Sequence, residues 1–172
     1  GDLCDVEAMV ALKDLTTALG SPHRDCRTDG AWIDPRARAG YVFNSGIAGI
    51  DRADAILLVG TDPRREAAIL NARIRRNWRE RGVKVGLIGA PASLTYPYAH
   101  IGTSPRDLES LLRGGHPFAE TLKAAKNPML IVGAGAFRRA DGPGLHGLVR
   151  EAVETFGMVR EDWNGFNVLH LA

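Results

Sequence analysis

Residues 55–64 read Ala-Ile-Leu-Leu-Val-Gly-Thr-Asp-Pro-Arg, an apolar run followed at once by residues that favour a turn and a helix start. The first five residues are apolar without alternation, which is typical of a parallel strand buried on both faces. Such a strand needs helices on both sides of its sheet. The run therefore predicts an α/β domain with a central strand at residues 55–59.

The turn after this strand is a candidate binding site. Gly60 allows a sharp turn, and either Thr61 or Asp62 can cap the helix that follows. The exposed amide groups of that helix would point beyond the carboxyl end of the strand, where open α/β sheets bind ligands. An ordinary strand-to-helix turn without a ligand would explain the same residues. The candidate cofactor-binding residues are Gly60, Thr61, Asp62, Pro63 and Arg64.

Two further apolar runs and four helical patterns follow this turn. The predicted strands are 83–88 and 129–132, and the predicted helices are 63–81, 105–113 with Ser104 as cap, 117–125 and 142–156. Strand, helix and strand in this order, with connections of this length, indicate parallel crossovers. We predict a Rossmann-like three-layer α/β domain with a mainly parallel sheet.

The residues before the central strand predict a helix and a long loop. The helix covers 2–19, is capped by Asp2 and ends at Gly20, and its apolar side chains lie on two sides that we expect to be covered. An ordered loop over 21–44, pinned by Trp32, follows. Shorter predictions are a strand at 41–43, a helix at 47–54, a loop at 89–103 and an unfinished element after residue 156.

The beginning of the sequence suggests how it relates to a parent protein. It opens on a predicted helix, without an initiator methionine and without a preceding strand. We therefore expect residues 1–172 to be a single domain excised from a longer chain.

Composition limits the classes of function. The chain has 172 residues, of which 45% are hydrophobic and 24% charged, and a net charge of +2, as expected of a soluble globular domain. The positive charge is concentrated in arginine clusters, so we expect no general nucleic-acid binding. No apolar run is long enough for a membrane helix, and we expect no direct membrane insertion.

The sequence lacks recognisable catalytic and metal-binding patterns. Cys4 and Cys26 form no CxxC pair, and we interpret them as two buried or idle thiols. The five histidines are scattered without ligand spacing, and no GxSxG, HExxH or Walker pattern occurs. We therefore predict no catalytic residue and no metal site in this chain.

One side of the helix predicted at 63–81 carries a basic surface. Three arginines and one isoleucine recur there at helical spacing: Arg65, Ile69, Arg73 and Arg76. A solvated helix face and a partner site would both explain this pattern.

The run 133–138 is similar in part to the dinucleotide fingerprint GxGxxG. It reads Gly-Ala-Gly-Ala-Phe-Arg, so Arg138 stands where the third glycine belongs. That replacement puts both close helix packing and the approach of a pyrophosphate in doubt.

Several segments, taken together, carry a family resemblance. They are 44–50 (NSGIAGI), 53–64 (ADAILLVGTDPR), 70–75 (LNARIR) and 94–98 (LTYPY), supported by 1–3, 7–12, 19–22, 25–27 and 29–30. In combination they closely resemble the large iron-sulfur subunit of respiratory complex I, the NADH:quinone oxidoreductase, in its alphaproteobacterial and mitochondrial form. This resemblance covers nearly the whole chain and is far more specific than a single glycine motif.

The resemblance implies a fold and a cofactor status. The region is similar to the molybdopterin-binding domains of formate dehydrogenase and nitrate reductase, in which a loop resembling 60–64 helps to hold the nucleotide part of the molybdenum cofactor. In the complex I subunit that cofactor is absent, so the resemblance implies a vestigial site and no cofactor in this chain. The 2Fe-2S and 4Fe-4S clusters of the parent subunit would be bound by cysteines outside it.

The leading interpretation is a non-catalytic structural domain of complex I that supports electron transfer from NADH to quinone. Its partners would be other parts of the parent subunit and other complex I subunits. It would lie peripherally on the matrix side of the membrane, or on the cytoplasmic side of the bacterial inner membrane. The alternative is a module that binds a pterin or an adenine-type nucleotide at 60–64 and 133–138.

Overall fold

The computed structural model describes residues 4–24, 30–34 and 36–170. The chain divides into two compact units, 1–30 and 31–171. The described part of the first unit contains one helix. The second unit contains the sheet and the remaining helices.

The described helices and strands are as follows, with each label kept below. The helices are α1 (Val6–Ala18), α2 (Gly46–Gly49), α3 (Pro63–Glu66), α4 (Ala68–Arg81), α5 (Pro105–Leu112), α6 (Phe118–Ala124) and α7 (Gly142–Thr155). The strands are β1 (Ala55–Val59), β2 (Lys84–Ile88), β3 (Ala99–Gly102), β4 (Pro128–Gly133), β5 (Val159–Arg160), β6 (Trp163–Asn164) and β7 (Phe166–Leu169). Short 3-10 helices cover Arg38–Gly40, Ile50–Arg52 and Ala134–Arg138.

The main sheet has five strands in the order β3-β2-β1-β4-β7. All four neighbouring pairs are parallel, and β1 lies at the centre. β5 and β6 form a separate antiparallel pair. The predicted α/β class with a mainly parallel sheet is confirmed.

Helices cover the sheet on both faces, which is why the strand residues at 55–59 are all buried. Alternate residues of β1 point into different cores, since side chains of a strand alternate between its faces. Leu57 packs in the core that includes α5, α6 and α7, whereas Leu58 packs in the core that includes α4. This arrangement is the predicted three-layer domain.

Two strands of the sheet were not predicted. β3 lies within the stretch predicted as a loop at 89–103, and β7 lies in the predicted unfinished tail. Both predictions were wrong because these strands have only four residues each, and their pairing partners β2 and β4 are distant in sequence. The tail thus completes the sheet.

The helix predicted over 63–81 is interrupted at Ala67. This residue has φ −154° and ψ 73°, so α3 ends before it and α4 begins after it. Neither glycine nor proline marks the break, and sequence propensity therefore gave no sign of it. The interruption separates a short helix that closes the β1 turn from the long helix that packs on the sheet.

The predictions for the first 44 residues were met in part. Trp32 is half-buried, its backbone amide donates to the Phe137 carbonyl at 3.1 Å and its ring lies against His146, so the predicted pinning is confirmed. The strand predicted at 41–43 was wrong, since Phe43 forms only an isolated bridge with Asn167. The helix predicted at 47–54 is present as α2 and a 3-10 turn.

Helix α1 differs from its prediction in its start and its burial. Its N-cap is Asp5, whose carboxylate accepts from the Ala8 amide at 2.7 Å, whereas the predicted cap Asp2 lies outside the described residues. No residue of α1 is buried among the residues that the structure describes, so the expected covering of its two apolar sides is not observed there. Of the predicted buried or idle thiols, Cys4 is exposed and so is not buried. Cys26 lies outside the described residues.

Candidate functional site

The predicted site lies at the point where the sheet connections change direction. From β1 the chain proceeds to β2 and β3 on one side, and β4 and β7 lie on the other. The carboxyl ends of β1 and β4 therefore define the topological switch point, where open α/β sheets hold their ligands. The loop 60–64 occupies this position, as predicted.

The turn at Gly60 is built from backbone hydrogen bonds. Gly60 has φ +59°, a conformation that favours glycine. Its amide donates to the Ile88 carbonyl at 2.8 Å, which ties the turn to the end of β2. Asp62 then caps α3, since its carboxylate accepts from the Arg64 amide at 3.1 Å. The predicted role of the glycine is confirmed, and of the two predicted cap candidates, Thr61 and Asp62, the structure shows Asp62.

The Glu66 carboxylate reaches back over the loop. One oxygen accepts from the Thr61 hydroxyl at 2.8 Å and the other from the Asp62 amide at 2.9 Å. Glu66 was not among the candidate residues predicted from sequence. The structure shows a carboxylate of the chain itself on the donors that a bound anion would use.

A cleft of about 900 Å³ opens beside this loop. One wall is the β1 turn and the start of α3, and the other is the loop 90–93 after β2. Both cations of the first wall are already engaged. The Arg64 guanidinium donates to the carbonyl and the hydroxyl of Ser93, each at 2.9 Å, and Arg65 lies 3.6 Å from the Asp62 carboxylate.

The loop after β4 packs directly against the β1 turn. A Cβ added to Gly133 would lie 2.5 Å from the Gly60 carbonyl oxygen, and one added to Gly60 would lie 2.9 Å from the Ala136 Cβ. The residues 134–138 form a 3-10 helix, and the long helix α7 begins only at Gly142. The partial glycine fingerprint therefore serves close packing between two loops.

The hydrogen bonds of the loop determine whether it can accept a phosphate-bearing cofactor such as a molybdopterin nucleotide. The amides of five loop residues already donate within the chain: those of Gly60, Asp62, Arg64, Arg65 and Glu66. Two carboxylates, those of Asp62 and Glu66, lie at the same cleft. The negative charge of these carboxylates and the engagement of these five amides both oppose a phosphate group. The loop in this conformation does not fit such a cofactor.

A buried tyrosine, Tyr96, lies in the core that includes α4. Tyr96 is 6% exposed, and its hydroxyl has no hydrogen-bond partner among the described residues. Burial, together with the charge of Asp62, raises the pKa of this phenol above its ordinary value. The hydroxyl is therefore neutral over the whole physiological pH range.

The basic side of α4 is partly neutralised within the chain. The Asp51 carboxylate lies 2.6 Å from the Arg73 guanidinium and 2.7 Å from the Arg76 guanidinium. The backbone carbonyl of Asp51 also accepts from the Arg81 guanidinium at 2.5 Å. Sequence analysis missed Asp51 because it precedes β1 and meets α4 only in the folded chain. Arg65 and Ile69 remain exposed. The predicted basic surface is thus largely exposed, and part of its charge is paired within the chain.

The sequence matches the molybdopterin oxidoreductase family over residues 1–172. The chain belongs to this family. The predicted fold type, that of the molybdopterin oxidoreductases, is thereby confirmed. Among the described residues, no group of three or more histidine, cysteine, aspartate or glutamate side chains could hold a metal ion.

Proteins with similar sequences are named as parts of NADH dehydrogenases. The chain is 45% identical over 171 residues to NADH dehydrogenase (ubiquinone) iron-sulfur protein 1, mitochondrial, of Solanum tuberosum, covering 99% of this chain and 23% of that protein. It is 41% identical over 179 residues to the NADH-ubiquinone oxidoreductase 78 kDa subunit, mitochondrial, of Neurospora crassa, covering 100% and 24%. It is 41% identical over 170 residues to an NADH-quinone oxidoreductase subunit of Rickettsia conorii, covering 99% and 25%.

These similarities confirm the resemblance to the large iron-sulfur subunit of complex I. The chain spans about a quarter of the length of the curated relatives it matches. Within the described ranges, none of the helices is both long enough and apolar enough to cross a membrane.

Proposed function

We propose that this chain is a structural domain of the large iron-sulfur subunit of NADH:quinone oxidoreductase. It would support electron transfer from NADH to quinone without carrying electrons itself. The observation that carries the proposal is similarity over nearly the whole chain to relatives named as parts of that enzyme. In the parent subunit, residues 1–172 would form one molybdopterin oxidoreductase-like domain.

The loop 60–64 is a vestigial cofactor site in this proposal. The support is the set of contacts that closes it: Glu66 lies on the donors of Thr61 and Asp62, and Arg64 is bonded to Ser93. A structural domain needs the turn for packing and needs no ligand there. The iron-sulfur clusters, 2Fe-2S and 4Fe-4S, would be held by other parts of the parent subunit.

The partners of the domain follow from the same proposal. They are neighbouring parts of the parent subunit and other subunits of complex I, with no nucleic acid among them and no direct membrane insertion. The exposed apolar side chains of α1, such as Leu12 and Leu15, fit contact with such neighbours. The domain would lie peripherally on the cytoplasmic side of the bacterial inner membrane.

The cleft of about 900 Å³ beside the loop favours a second candidate, a ligand-binding module. Clefts of this size at the carboxyl ends of parallel strands commonly hold cofactors. The two candidates differ in what a change at Arg64 would do to the assembled enzyme. The module needs this side chain for its ligand, whereas the scaffold uses it only to fasten the loop 90–93.

Two variants of the parent gene in a bacterial host separate these candidates. Leu57→Asp places a charge in the centre of the sheet and should abolish both assembly of the complex and NADH oxidation by membranes. Arg64→Ala should leave assembly and NADH oxidation close to the unaltered enzyme. A fully assembled Arg64→Ala complex without NADH oxidation would contradict the structural role and favour the module.

A further inference from the structure

A second groove, of about 480 Å³, is lined by residues of helix α4 and by Thr95. Its polar lining consists of Asn71, Arg75, Arg76, Arg79, Glu80 and Thr95. The structural role proposed above makes no use of this groove.

The charge of the chain is concentrated around this helix. Residues 64–81 contain seven arginines and two glutamates, whereas the whole chain has a net charge of only +2. The remaining residues are therefore net negative, and the positive field belongs to α3 and α4. Such a field attracts an acidic partner and orients it before contact.

Two arginines of the groove are not neutralised by the chain. Arg76 pairs with Asp51 at 2.7 Å. Arg75 and Arg79 are exposed, and neither has an ion pair or a hydrogen bond among the residues that the structure describes. Two guanidinium groups one helical turn apart can each pair with a carboxylate.

Asn71 adds a buried acceptor to these two cations. Its side chain is 6% exposed, and its Nδ2 donates to the Leu94 carbonyl at 3.2 Å. Its Oδ1 has no partner within the described part of the chain. An unpaired buried acceptor is costly, and only an N–H or O–H donor satisfies it. A phosphate or carboxylate oxygen alone offers no such donor.

The opposite wall of the groove is held in an unusual backbone conformation. Thr95 has φ +70°, which a β-branched residue rarely adopts. Its neighbours Leu94 and Tyr96 are buried in the core beside α4 and fix it there. The Thr95 side of the groove is therefore held in place by buried neighbours.

We propose that this groove binds an acidic polypeptide segment of a partner subunit. Carboxylates of the segment would pair with Arg75 and Arg79, and a backbone amide would donate to Asn71 Oδ1. A polypeptide supplies both the negative charge and the N–H donor that the lining requires. The inference deepens the proposed scaffold function, and it rests on that function for the existence of a partner.

The groove favours a peptide over a polyanion such as a nucleic acid. The Glu80 carboxylate lies in the same lining and repels closely spaced phosphates. A peptide can direct its acidic side chains towards the arginines while its backbone passes the glutamate. Phosphate, nucleotide and anionic lipid are therefore outcomes that the test must separate.

Fluorescence anisotropy of the 172-residue chain with a labelled peptide of alternating glutamate and alanine tests the proposal. The double variant Arg75→Gln/Arg79→Gln should weaken binding about tenfold. The matched control Arg106→Gln/Arg113→Gln removes two exposed arginine charges on α5 and at its end, and should change affinity less than about twofold. Circular dichroism of each variant verifies that the fold is retained.

A second pair of measurements tests the hydrogen bond. Asn71→Leu and N-methylation of the peptide backbone should each weaken binding about fivefold, and together no more than either alone. Equal losses in the arginine variant and its control would overturn the proposal. So would saturable binding of inorganic phosphate, ATP or phosphatidylglycerol vesicles at this groove without binding of the peptide.

Failure of the groove proposal can be distinguished from failure of the proposed scaffold function. If the peptide does not bind but the parent complex assembles normally, only the groove assignment is wrong. If Leu57→Asp in the parent leaves assembly intact, the scaffold proposal itself is wrong whatever the peptide does.

Discussion

The Glu66 carboxylate lies 2.8 Å from the Thr61 hydroxyl, and its second oxygen accepts from the following backbone amide. Glu66 is the last residue of the four-residue helix α3, and it thus closes the turn from which that helix starts. In a site that held a phosphate, this position would belong to the ligand. The contact makes the turn self-sufficient, which is what a structural domain requires.

Removal of this carboxylate should loosen the turn. Glu66→Ala leaves the Thr61 hydroxyl and one amide unpaired, so we expect the free energy of unfolding to fall by about 1–2 kcal/mol. Urea denaturation followed by circular dichroism measures the change. Glu120→Ala, at an exposed pair with Lys123, is the matched control and should cost less than about 0.5 kcal/mol. Equal effects would show that the contact is not stabilising.

The packing of the two loops at the switch point is tested at Gly133. Its backbone is ordinary, with φ −69°, so an alanine there is harmful only through its Cβ, which would lie 2.5 Å from the Gly60 carbonyl oxygen. We expect Gly133→Ala to cost about 2 kcal/mol or more of unfolding free energy. Gly135→Ala has open space around its Cβ and should be neutral or slightly stabilising.

Asp51 holds the basic helix to the segment that precedes β1. Asp51→Ala would leave Arg73 and Arg76 without their shared carboxylate and should cost about 1 kcal/mol, since all three side chains are partly exposed. Asp162→Ala removes a more exposed carboxylate, 3.5 Å from Arg160, and should have little effect. High salt should reduce the difference between the two variants. An unchanged difference in high salt would contradict an electrostatic origin.

The stability of the chain should depend on His146 at mildly acidic pH. Burial, with a smaller contribution from Arg150, lowers the pKa of this imidazole below its ordinary 6.5, against the opposing effects of the Gly40 carbonyl and Asp34. The folded chain then binds fewer protons than the unfolded chain, so the stabilisation is complete above pH 6.5 and is lost as the pH falls through the folded pKa.

Chemical denaturation at a series of pH values between 7 and 5 measures this effect. The unaltered chain should lose stability as the pH falls, and His146→Gln should flatten the slope. His23→Gln, at an exposed histidine, should leave the slope unchanged. The same slope in all three proteins would place the pH dependence elsewhere.

The parts of the fold that were predictable from sequence are those with a continuous local signal. The apolar run at 55–59 and the turn at Gly60 lie within a few residues of one another, and both were predicted correctly. The strand Ala99–Gly102 gave no such signal, because it is short, partly exposed and defined by its pairing with β2. The break at Ala67 was equally invisible.

The candidate site shows the same division between local and tertiary information. Its position follows from sequence, and so does a cap at Thr61 or Asp62, because strand end, glycine and cap are adjacent. The closure of the site does not follow from sequence. Arg64 bonds to Ser93, which is 29 positions away, and Gly133 at the end of β4 packs on Gly60 after β1. These long-range contacts close the loop in the folded chain.

The central claim is that the loop 60–64 serves the fold and binds no nucleotide or pterin cofactor. Calorimetric titration of the 172-residue chain with guanine and adenine nucleotides tests it most directly. We predict no saturable heat at micromolar ligand concentrations. A saturable signal with one ligand bound per chain, which is lost in Arg64→Ala while the fold is retained, would contradict the claim.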